Sequence, residues 1–224
     1  MDNKESNVIS HKPEDLRIKF FSEKLQYNAD FALNLDTRTI YLFGMLTEEI
    51  GTNLRVKYNI IKAWWNTVEQ KEFNDITIDI STGGGSIYSI PGALDFYDEL
   101  KAEGVLVNTK AQTICMSAAT ILLAGGTGER TATKRCRFML HDIQVDGMGG
   151  TTRQLQSAMK NLNEEQMELF TYYAQFARKG QKLLEGNALK KEALAWIKKY
   201  TSDATDHYIS AEEILKLKLI DRVY

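Results

Sequence analysis

The chain has 224 residues, 43% of them hydrophobic and 26% charged, with a formal net charge of −2. That length fills one domain with a substantial core; the near-zero charge gives no field to gather nucleic acid or anionic lipid, and no apolar run is long enough to span a bilayer or to form a secretory signal. Its three histidines and two cysteines have no metal-ligand spacing, so neither a metal nor another cofactor is expected; Cys115 and Cys136 sit in core-like segments and read as buried thiols of a reducing, cytoplasmic setting rather than a disulfide.

Residues 1–15 are polar and unpatterned and read as a mobile tail, while 16–35 mix charges and aromatics without a period. Thr39–Gly44 is a short apolar run ending in glycine, a buried strand. Leu54, Tyr58, Ile61, Trp65 and Val68 recur at three- and four-residue steps, the apolar face of a helix. Residues 75–80 alternate as a strand and run into Thr82-Gly83-Gly84-Gly85. A helix follows with its cap at Ser89 and Pro91 in the first turn. The next strand opens at Val105 and continues through Cys115 to Ser117; Ala118–Ala124 reads as a buried helix ended by Gly125-Gly126. Arg137–Leu140 is another strand with His141 at its exit. Strands and helices alternating at this spacing predict an α/β fold with a largely parallel sheet.

The last third is different. Leu155, Met159, Leu162, Leu169, Tyr173 and Phe176 keep a four-three rhythm that Gln166 interrupts, which fits a long helix packed on a partner or equally on its own core. A loop flanked by Gly180 and Gly186 leads to a basic helix over 189–200. Ser210 with Glu213 makes a capping-box pair, and residues 219–223 close the chain as a small strand.

A serine becomes a useful nucleophile only with a base in hydrogen-bond reach and donors for the oxyanion. His11 falls in the tail and His207 in the C-terminal connection, whereas His141 stands at a strand exit, where parallel sheets place their crevices. Ser117, at a strand-to-helix junction, is the matching hydroxyl. Singly, each feature has an ordinary explanation: an N-cap serine, a glycine turn, a hydrogen-bonded histidine. A phosphate cradle is disfavoured because neither GxGxxG nor GxxxxGK[ST] is present.

The ordered set resembles a known family. Residues 75–87 (DITIDISTGGGSI), 117–126 (SAATILLAGG), 137–141 (RFMLH) and 206–213 (DHYISAEE), followed by 219–223, resemble four motifs of the Clp protease proteolytic subunit over roughly 39–223. The resemblance implies the spiral of β-β-α units shared by ClpP and crotonase, with a protruding helical handle over about 142–200. It divides the chain into a divergent N-terminal segment, 1–36, and a serine peptidase domain, 37–224. It implies that Ser117 is nucleophile, His141 general base and Asp206 the carboxylate orienting the imidazole. Backbone N–H groups of Gly84 and Ala118 would form the oxyanion hole, and Gly85 and Ile143 would contact substrate. The implied protein is an ATP-independent endopeptidase core acting on peptides or unfolded chains, a homo-oligomer of stacked heptameric rings with an AAA+ unfoldase as partner. A non-catalytic ring subunit, a crotonase-like acyl-CoA enzyme and a phage prohead-type maturation protease are the alternatives. The chain departs from the family's pattern at Thr113 and Met116, at Asp142-Ile143 in place of Gln-Pro, at Thr205 in place of arginine, and in an insertion around 179–200.

Overall fold

A computed structural model describes residues 24–26, 28–29, 31–145, 147, 149–201 and 206–224. The tail expected over 1–15 and the departure at Thr205 lie outside the described residues.

Strand β1 (Leu33–Asn34) pairs antiparallel with β2 (Thr39–Phe43), and β2 lies parallel to β3 (Asp75–Thr82). Between β2 and β3 runs α1 (Ile50–Trp64), which buries Leu54, Tyr58 and Ile61 as the three-four spacing requires. At its end the backbone widens into one π-helical turn, Trp65–Glu69. The wider turn moves the face beyond it, so Val68 is 37% exposed, a correction to the periodicity read from sequence, while Trp64 is buried and Trp65 packs partly against the core.

Helix α2 (Ser89–Ala102) returns the chain to β4 (Leu106–Met116), parallel to β3. Ser89 is not its cap: it lies in the first turn, fully buried, and its hydroxyl donates to Ser86 O at 2.6 Å, while Tyr88 occupies the cap position without a side-chain capping bond. The long strand β4 serves two neighbours in succession. Residues 109–111 pair with β5 (Arg130–Ala132) and residues 114–116 with β6 (Arg137–Leu140), both parallel. Between these halves the register with β3 shifts, from Ile80 opposite Ala111 to Thr82 opposite Cys115. Such a bulge bends a strand, and here the hydroxyls of Ser81 and Thr113 bond across it. The bend directs the end of β4 into α3 (Ala118–Ala124), whose seven residues are all buried.

The sheet runs β1-β2-β3-β4-β5-β8, with β6 beside the distal half of β4 and β7 (His207–Ile209) antiparallel to β6. Strand β8 (Arg222–Val223) closes the far edge against β5. The architecture is mixed α/β with mostly parallel strands, as the pattern predicts. Cys115 and Cys136 are buried free thiols.

Helices α4 (Thr152–Phe176) and α5 (Gly186–Thr201) form an arm, and α6 (Ala211–Lys216) precedes β8. Capping boxes start α4 at Thr151–Gln154 and α6 at Ser210–Glu213. No residue of α4 before Phe170 is buried; from there Phe170, Tyr173 and Ala174 join the core. The reading of the stripe as packed on its own core therefore holds for the last two turns of the helix, from Phe170 on. Arg130 joins arm to sheet. It is 2% exposed, and its guanidinium donates to Ala124 O at the end of α3, to Phe176 O at the end of α4, and to the Asp221 carboxylate.

Candidate active site

Three strand exits meet at one rim of the sheet. The first is the glycine run after β3. Thr82 donates its hydroxyl to Gly44 O and accepts from Gly84 N at 3.1 Å, folding the run back on itself. Leu46 then bridges to the run: its N–H donates to Gly84 O and its carbonyl accepts from Ser86 N, each at 2.9 Å. Alternation along an extended segment turns the N–H and C=O of Gly85 the other way, and Gly85 lines the cleft. The glycines are required by space. A Cβ on Gly84, at φ +102°, would lie 2.7 Å from Ser117 Cβ, and one on Gly85 would lie 2.3 Å from Leu46 O.

The second exit is Ser117, between β4 and α3, at φ 53° and ψ −133°. A non-glycine residue in that region carries strain of about 1–3 kcal/mol and persists only where its surroundings hold it. Here Ser117 N donates to Met139 O at 2.9 Å, and Ser117 O accepts from Thr120 N at 2.9 Å and Thr120 Oγ1 at 2.7 Å. The turn lifts the hydroxyl off the sheet at the head of a helix. Ala118 opens that helix, and a first-turn N–H has no intrahelical acceptor.

The third exit is His141, directly after β6. Its Nε2 lies 2.6 Å from Ser117 Oγ. On the next strand the β6–β7 register pairs Phe138 with Ile209 and Leu140 with His207, so the following pair in sequence is His141 and Asp206. Asp206 Oδ1 stands 4.0 Å from His141 Nδ1 and receives Gln144 Nε2 at 3.5 Å. Nδ1 is buried and has no hydrogen-bond partner among the described residues. Burial pushes the His141 pKa below the ordinary imidazole value, against the opposing pull of Asp206 and, less, of Asp142. The ring is thus neutral near pH 7 and able to take a proton.

A cleft of about 590 Å³ opens over these groups, with Ser117, His141 and Gly85 on its floor and Ile143, Leu162 and Tyr173 among its apolar walls. Arm and sheet both line it. Tyr88 donates its hydroxyl to Glu165 Oε1 of α4 at 3.1 Å across one rim. Next along the helix, Gln166 Oε1 accepts from Ile143 N at 2.9 Å, and Gln166 donates to Asp142.

The structure therefore brings Ser117, His141, Gly84, Gly85, Ala118 and Ile143 to one place, with Asp206 one step farther out. Of the two amides expected at the oxyanion, Ala118's heads a helix and Gly84's is engaged by Thr82. Sequence reasoning missed Thr82 and Gln166; the second left a signal, a polar residue in an apolar stripe. Among the described residues no group of histidine, cysteine and acidic side chains could hold a metal ion, and no helix is long and apolar enough to cross a membrane.

The profile of the family described as Clp protease matches residues 33–224. The ATP-dependent Clp protease proteolytic subunit 1 of Thermobifida fusca is 37% identical over 98 residues, 41% of each chain. The ATP-dependent Clp protease proteolytic subunit of Bacteroides fragilis is 24% identical over 154 residues, 66% of this chain and 63% of that protein. Subunit 2 from Cutibacterium acnes is 27% identical over 191 residues, 85% of this chain and 78% of that one. The match thus spans less than two thirds of the length of the first two of these relatives.

Proposed function

The chain belongs to the Clp protease family, and from that premise we propose that it is a serine endopeptidase subunit that cuts peptides or unfolded chains with Ser117, His141 and Asp206. The observation that carries the reading is the 2.6 Å approach of His141 Nε2 to Ser117 Oγ at the head of α3, beside the glycine run. Substrate adds as an extended strand along the free edge of Gly85, opposite the wall formed by Ile143. His141 takes the Ser117 proton as Oγ attacks the carbonyl carbon, and the imidazolium then gives that proton to the leaving amine. The N–H of Ala118, at the head of α3, receives the oxyanion; the N–H of Gly84, expected beside it, donates to Thr82 Oγ1 instead and would have to leave that hydroxyl to join. Water deacylates the serine by the same proton route in reverse.

Asp206 holds the Nδ1 proton. Closing its 4.0 Å separation by about 1 Å puts the pair in hydrogen-bond range. The domain acting this way is 37–224. We further propose that it works as a ring-forming homo-oligomer in which the unburied half of α4 meets a neighbouring copy. Its cut needs no nucleotide, and a partner ATPase delivers unfolded chain.

The test is labelling by a fluorophosphonate together with hydrolysis of a fluorogenic peptide. Wild type should label and turn over. Ser117→Ala should lose labelling and drop turnover on the order of 10⁶-fold. Labelling that persists in the variant would move the nucleophile elsewhere.

A further inference from the structure

The segment after His141 is held in an unusual way. Residues 142–145 belong to no helix or strand and, among the described residues, make no backbone–backbone hydrogen bond. Yet they begin at the general base and form a wall of the cleft. A wall without a ladder must be held by side chains. One tie is Gln144 to Asp206, at 3.5 Å. The main-chain tie comes from the arm: Gln166 Oε1 accepts from Ile143 N at 2.9 Å, and Gln166 Nε2 donates to the Asp142 carboxylate.

One carboxamide thus grips two consecutive residues, using its acceptor on the backbone and its donor on a charged side chain. Position 166 interrupts the apolar stripe of α4, where leucine would bury more surface and cost nothing in helix propensity. The polar residue there weakens the stripe but keeps the segment in place, and it meets Asp142, a position where the chain also departs from its family's pattern.

We propose that Gln166 is a positioning residue: its carboxamide fixes Asp142 and Ile143 against α4 and so holds the His141 imidazole on Ser117. This rests on the hydrolase reading above. It makes the arm part of the catalytic support and separates two roles in one helical turn, since the neighbouring Glu165 accepts from Tyr88 instead.

The experiment uses the full chain and three variants. Gln166→Leu removes both bonds while completing the stripe. Gln166→Glu keeps an acceptor for Ile143 N but sets a carboxylate against Asp142. Gln166→Glu with Asp142→Asn restores a donor–acceptor pair with the polarity reversed. The readouts are the rate of fluorophosphonate labelling, kcat and KM on a fluorogenic peptide, and Tm. We expect Gln166→Leu to lower labelling and kcat roughly 10- to 100-fold, with KM little changed and Tm held or raised. Gln166→Glu should fall at least as far, and the double variant should return to within about threefold of wild type. Labelling of Gln166→Leu within about twofold of wild type would overturn the proposal. So would losses that track a lower Tm and are not recovered in the double variant, because Gln166 would then be structural only. Wild-type protein that does not label at Ser117 would instead overturn the hydrolase reading itself.

Discussion

The rim of the sheet and the helical arm are built on opposite principles. At the rim, position comes from backbone: three parallel strand exits, a bulge that bends β4, and a strained serine held through its own N–H and C=O. In the arm, position comes from side-chain faces on two helices, and before Phe170 no residue of the first is more than partly buried. A parallel sheet fixes its exits as soon as it pairs, whereas an amphipathic helix fixes nothing until it finds a surface. The rim can therefore present Ser117 and His141 in a single chain. The arm's outer half has apolar residues, including Met159 at 53% exposure, that its own domain does not cover.

The most severe test of the rim is its least tightly held member. Asp206→Asn should lower kcat by about 10⁴-fold in peptide hydrolysis while leaving labelling detectable, because the imidazole would lose its tautomer but not its place. Rates near those of wild type would mean that the 4.0 Å gap to His141 never closes and that a serine–histidine pair works alone.

How much could be read in advance follows the same division. Strand β3, the glycine run, α3 and β6 were legible because burial and alternation are local properties of residues 75–85, 118–124 and 137–140. Strand β7 was not: three residues carry no period, and only its register on β6 explains why Asp206 arrives beside His141. Val68 leaves the core face because a π turn is a departure from the 3.6-residue period that any pattern assumes, whereas Trp65 still packs partly against the core beside buried Trp64. The bulge opposite Ser81 left no mark beyond two hydroxyl residues. In the arm the stripe was visible, but periodicity gives a face and not its partner, so the division of α4 at Phe170 needed coordinates.

Arg130 belongs to both regions and measures how far one supports the other. Arg130→Met removes the group that caps the ends of α3 and α4 and leaves Asp221 without its bidentate partner. The expected loss is about 3 kcal/mol, or roughly 6–12 °C in Tm by calorimetry. A smaller loss with intact labelling would show that the rim stands without the arm.

Acid probes the same joint more gently. Burial would raise the Asp221 pKa, but Arg130, through its side chain and its N–H, and then Lys179 outweigh it and hold it at about 2. A folded pKa below the unfolded one gives stability that is complete above about pH 4 and is lost as pH falls toward 2. Because the side chain is 35% exposed, solvent screening reduces that contribution to the order of 1 kcal/mol. His141 adds in the same direction: with its folded pKa depressed, the unfolded state binds more protons once pH drops below about 6.5. Its lowered pKa also moves the acid limb of peptide turnover below that of a free imidazole. Tm measured from pH 7 to pH 2 should decline in two stages, and Asp221→Asn should flatten the lower one.

The smallest effect on stability falls in the outer arm, where it carries the most information about assembly. Met159 is exposed, four residues beyond the half-buried Leu155 and three before the half-buried Leu162 on the same face of α4. Met159 is 53% exposed, so in Met159→Glu monomer stability should change by no more than about 0.5 kcal/mol. If that face meets a second copy, a carboxylate buried there without a partner costs several kcal/mol per interface, and sedimentation should show the oligomer dissociating at concentrations where wild type stays assembled. An assembly that survives the substitution would free the stripe from any role between subunits, and α4 would then serve its own domain only, through Phe170 and Tyr173 in the core and Leu162, Glu165 and Gln166 at the cleft.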